Sequence, residues 1–118
     1  MLDYETIHYD VKAAEANLKA ATHNQYLPAM IEYSRLLAFS DDAEIRDIRA
    51  AVKYAELARS LDNNHPVLLS VLGAAYSELG KPQVGKDLLQ QALNEANKRS
   101  WSTQHFTELF EAAVQKRL

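Results

Sequence analysis

Two pairs of small residues, Ala51 with Gly85 and Ala58 with Ala92, each stand 34 positions apart in this chain of 118 residues. A repeat of that length implies one supersecondary unit used more than once, each copy burying its apolar face against the next. The unit has to be helical. No stretch alternates apolar and polar residues long enough to propose a strand, whereas apolar residues recur at helical spacing almost throughout. Alanine, leucine, glutamate and lysine abound, and the 3 glycines and 3 prolines fall at helix edges or crossings.

Periodicity predicts helices over about 4–22, 27–39, 48–61, 67–79, 82–97 and 102–116. In the first, Ile7, Val11, Ala14, Leu18 and Ala21 form one stripe, broken by His23-Asn24-Gln25. Pro28 suits the first turn of the second helix, whose Met30, Ile31, Tyr33, Leu36 and Leu37 occupy more than one face. Asp41, with Glu44 three residues on, has the spacing of a capping box ahead of the third helix, and Asp62-Asn63-Asn64-His65-Pro66 stops it. Gly80 sits where a left-handed cap wants glycine, and Pro82 opens the fifth helix. A turn this short makes the fourth and fifth helices antiparallel neighbours. Phe106, Leu109, Phe110, Ala113 and Val114 make the last segment strongly amphipathic.

The run Leu69-x-x-Leu72-Gly73-x-x-Tyr76, followed by Gly80, Gly85, Leu89 and Ala92, resembles a complete tetratricopeptide repeat (TPR). Leu72, Gly73, Tyr76 and Ala92 match the family pattern directly. Leu69 replaces its tryptophan, Gly85 replaces its alanine, and Asn63 stands where a late proline is usual. Met30, Tyr33, Ser34 and Leu37 stand in for the same positions one repeat earlier, with five extra residues in a turn over 40–47. That elongated form is similar to one common in bacterial TPR proteins. The resemblance implies an all-α fold: a short, right-handed, TPR-like superhelix of antiparallel helix pairs in a single domain, 1–118. Its parts are an N-terminal helix or half repeat (4–26), a first repeat with an elongated turn (27–63), a second repeat (64–97) and a C-terminal capping helix (100–118).

Little in the chain points to chemistry. Cysteine is absent, which removes disulfides and thiolate metal sites, and a net charge of −3 is too mild to suggest a nucleic-acid partner. His8, His23, His65 and His105 fall on different elements without the close pairing of a zinc motif; His65 reads as a turn residue and His105 as a first-turn residue. No nucleophile elbow, P-loop or dinucleotide fingerprint occurs, so neither catalysis nor a cofactor is expected. Asp41, Asp42 and Asp47 read as helix-capping residues. Lys98-Arg99 and Lys116-Arg117 read as partners of helix C-termini, and Trp101 as a plug between helices. No apolar run approaches the roughly 20 residues of a spanning helix, and the N-terminus lacks the pattern of a signal peptide, so a cytoplasmic location is expected.

What the resemblance implies is a protein–protein interaction module whose first helices line a concave groove for a peptide or helix of a partner protein. Carried over by register, the groove residues are Ile31, Glu32, Arg35 and Phe39 from one helix, and Val67, Ser70, Ala74, Ser77 and Glu78 from the next. Ser70 and Ala74 stand where carboxylate-clamping TPRs have lysine and asparagine. An amphipathic helix or extended apolar segment therefore suits the groove better. The alternative is a self-associating adaptor, with Phe106 and Phe110 or the helix from Tyr4 as a homodimer seam. No nucleic acid or membrane partner is expected.

Overall fold

The helix ends follow the capping chemistry of the chain. The computed structural model describes residues 4–116, with side chains for Lys12 and over 15–111. Among the described residues there is no strand. There are six α-helices: α1 (Tyr4–His23), α2 (Leu27–Phe39), α3 (Ile48–Arg59), α4 (Pro66–Glu78), α5 (Pro82–Lys98) and α6 (Gln104–Lys116). The side chains of Ile7, Val11, Ala14, Ala113 and Val114, on which parts of the terminal stripes were read, lie outside the described residues. So do the side chains of Tyr4, His8 and Lys116, and Arg117 altogether. No helix among the described residues is long and apolar enough to cross a membrane.

The start of α3 corrects an expectation. Asp47 is its N-cap, with the carboxylate accepting from the Ala50 N–H at 3.0 Å. The cap of α3 is thus not drawn from the Asp41/Glu44 pair; within the turn over 40–47 the Asp42 carboxylate accepts from the Glu44 N–H at 2.9 Å. Helix α4 begins at Pro66, whose missing N–H costs nothing in a first turn, and His65 caps it.

Three helices end in the same 6→1 and 5→2 hydrogen-bond pattern, with one left-handed residue each. After α4 that residue is Gly80 (φ 83°), with the Lys81 N–H donating to the Tyr76 carbonyl at 2.9 Å. After α1 and α5 the same conformation is held by Gln25 (φ 57°) and Ser100 (φ 58°), where glycine would be easier.

Successive helices pack side by side throughout. In addition α2 packs on α4, and α4 on α6, so α4 has α2, α3, α5 and α6 as neighbours. The core runs along it: Leu68, Leu69, Val71 and Leu72 are fully buried, together with Met30 from α2 and Leu89 from α5. Alanines 51, 55 and 58 give α3 a small buried face, and alanines 92 and 96 give α5 another. The closest approach is between α4 and α5. A Cβ on Gly73 would sit 2.8 Å from the Gly85 carbonyl oxygen, and one on Gly85 would sit 2.5 Å from that of Gly73. Both residues are therefore glycine for lack of room.

Candidate functional site

Glu32, Arg35, Leu36 and Phe39 recur at the spacing of one helical face on α2. With Leu18 of α1, Ser40, and His105 from the first turn of α6, they line a cleft of about 260 Å³. Its lining is predominantly apolar. The rings of Phe39 and His105 meet edge to face at 6.2 Å, which is how α6 reaches α2. Glu32 and Arg35 form an ion pair at 2.9 Å on the rim, both about half exposed. Pockets that enclose whole small-molecule ligands occupy about 300–1,000 Å³. This cleft is smaller and matches one or two apolar side chains.

The residues assigned to the groove by register divide. Glu32, Arg35 and Phe39 come together in this cleft. Ile31 and Ser70 do not reach a surface: they are 8% and 1% exposed, and the Ser70 hydroxyl donates to the Val67 carbonyl of its own helix. Ser77 faces α5, because its Oγ lies 2.0 Å from where a Gly85 Cβ would stand, and it donates to the Gly73 carbonyl at 2.9 Å. The Ile31 and Ser70 assignments are corrected, and Ser77 is half-buried on the side of α4 that meets α5. The reason is that α4 is enclosed by four helices, which leaves little of its surface free. Val67 and Ala74 are partly exposed, and Glu78 is ion-paired with Arg46 of the 40–47 turn. Phe106 is 5% exposed and packed in its own chain's core, which removes it from a dimer seam; Phe110 is half-buried.

Leu18, Leu36 and His105 belong to the cleft without having been expected there. Leu36 was within reach, since it stands four residues after Glu32 and three before Phe39. Leu18 and His105 come from other helices, and no local pattern brings them in.

The turn over 40–47 is pinned beside the cleft. Ile45 is buried, and the Asp47 N–H donates to the Leu37 carbonyl at 2.9 Å. Lys12 of α1 pairs with Glu44 at 3.6 Å. Tyr33, below the turn, is pushed up to about 12, first by burial and then by the nearby Glu15 carboxylate. Tyr76 of α4 donates to the Glu56 carboxylate of α3 at 3.2 Å and is also raised, by burial and then by that carboxylate.

A second cluster joins the start of α4 to the end of α5. The Val67 N–H donates to His65 Nδ1 at 3.2 Å, so the imidazole is itself the cap of α4. The Trp101 ring meets the His65 ring at 5.6 Å, and the Arg99 guanidinium lies 5.6 Å over Trp101 while donating to the Asn64 carbonyl. Trp101 is 40% exposed, so it covers the junction rather than plugging it. No group of three or more His, Asp or Glu among the described residues could hold a metal ion.

Comparison with protein families, curated proteins and solved structures found no match. The functional reading therefore rests on the geometry above.

Proposed function

We propose that this chain is a protein-binding adaptor of TPR-like build. Its cleft between α1, α2 and α6 takes apolar side chains from a peptide or helix of another protein. The observation that carries the reading is the apolar lining of the cleft, edged by one polar ion pair, at a volume suited to side chains. The alternation in which α2 packs on α4 and α4 on α6 supports the TPR-like part, as does the backbone contact of Gly73 with Gly85. Association of this kind draws on a few buried anchors inside a polar rim.

The test is a pull-down from cell lysate with the wild-type chain beside Leu36→Asp, which places a charge on the cleft floor. A protein retained by wild type and lost by the variant, with circular dichroism unchanged, supports the cleft. Equal capture by both moves the site to another surface.

A further inference from the structure

We propose that His65 is a pH-operated latch that holds the link to α6 closed in its neutral form and frees it when protonated. The imidazole does two jobs at once. Its Nδ1 accepts the Val67 N–H at 3.2 Å, satisfying one of the free donors at the start of α4. Its ring is also the surface against which Trp101 rests, at 5.6 Å.

Trp101 is the hinge of the link. Its N–H closes the end of α5 by donating to the Ala96 carbonyl at 2.9 Å, and α6 starts at Gln104, three residues on. Within the turn closed by that hydrogen bond, Ser100 is held in the left-handed region at φ 58°, a conformation that side chains resist. The link is thus kept by its contacts and not by its own preference.

Protonation reverses the first job. Nδ1 becomes a donor facing the Val67 donor, and a positive charge appears at the positive end of α4. Helix α4 carries no acidic residue in its first turn to receive that charge. The charged groups that act on His65 are Arg99, from the end of α5, which opposes protonation, and Asp62, from the preceding turn, which favours it. Burial is the largest influence, and the net direction is downward from the ordinary value of 6.5. A lowered folded value means that the cap contributes fully above 6.5 and is lost as pH falls through that lower value. Because His105 of α6 lines the cleft, movement of the link changes the cleft wall.

The experiment uses the full chain and its single tryptophan. Trp101 emission is titrated from pH 8 to pH 4.5 in wild type, in His65→Asn, which keeps a competent cap without titrating, and in His105→Gln as a control. Amide-exchange protection, corrected for the intrinsic rate, is read at Trp101 and Thr107 for α6 and its link, and at Ala51 for the body. The latch predicts quenching with a midpoint below 6.5 in wild type and His105→Gln, and none in His65→Asn. It also predicts a loss of protection of about tenfold or more at Trp101 and Thr107, with Ala51 unchanged. A flat titration, a transition that survives in His65→Asn, unchanged protection at Trp101, or equal loss at Ala51 would each overturn it.

Discussion

The pairs α2/α3 and α4/α5, whose second helices share a 34-residue spacing of small residues, are held together differently. In α4/α5 the backbones touch through Gly73 and Gly85, and the connection is a short turn closed by Gly80. Their contact is the most extensive between any two helices. In α2/α3 the corresponding crossing residues are Ser34 and Ala51, both wholly buried, and the Ser34 hydroxyl is satisfied by the Ile31 carbonyl at 2.9 Å. The helices there are linked by the turn over 40–47, which brings its own anchor, Ile45, into the core. One pair is fixed by how closely backbones approach, the other by side chains and an ordered turn. The same layout can thus be reached either by removing Cβ atoms or by adding residues.

The largest expected effect is at Gly85. In an unconstrained helix interior Gly→Ala stabilises by up to about 1 kcal/mol. Here the new Cβ would meet Ser77 Oγ at 2.0 Å and the Gly73 carbonyl at 2.5 Å. Gly85→Ala is expected to lower stability by about 3 kcal/mol in urea unfolding, because relief requires the helices to part. Ala51→Gly, its counterpart, is expected to cost about 1 kcal/mol, the ordinary helix penalty. A neutral or stabilising Gly85→Ala breaks the comparison.

Next comes the anchor of the long turn. Ile45→Ala removes a residue that is 3% exposed and should cost about 2–3 kcal/mol in the same measurement. A cost under about 0.5 kcal/mol, typical of surface changes, would make the turn a passive tether. Asp47→Ala removes the α3 cap and should cost about 1 kcal/mol, with Asp47→Ser recovering most of it. Smallest is Arg46→Ala. Its pair with Glu78 joins the turn to α4, but both side chains are partly exposed, so a loss of about 0.5 kcal/mol that shrinks in high salt is expected. A larger loss would assign the turn's order to charge and not to Ile45.

Much of this contrast was legible before any coordinates. The 34-residue spacing located both small-residue crossings, and Gly80 with Pro82 marked the tight turn. Asp47 was among the residues expected to cap a helix, but the Asp41/Glu44 spacing competed for the start of α3, because Ser40, Asp41, Asp42 and Asp47 all have capping side chains. What selects Asp47 is the burial of Ile45, a tertiary effect that sets where the turn ends. Of the groove residues expected on α2, Glu32, Arg35 and Phe39 share a face and line the cleft, whereas Ile31 is buried. The family pattern leads one to expect a free face on α4, but Ser70 is buried and Ser77 is turned toward α5. His105 entered the cleft from the one helix for which the repeat supplies no register.

The enclosure of α4 by α2, α3, α5 and α6 also bears on how the molecule comes apart. A helix with neighbours on four sides loses none of its amide protection when any single neighbour frays. Its amides should then exchange only when the whole molecule unfolds, while those of the link between α5 and α6 exchange through local openings. In a longer solenoid, units can melt one after another from an end. Here one central helix is shared by four neighbours, so melting should be a single event even though two of the helix pairs share a 34-residue spacing of small residues.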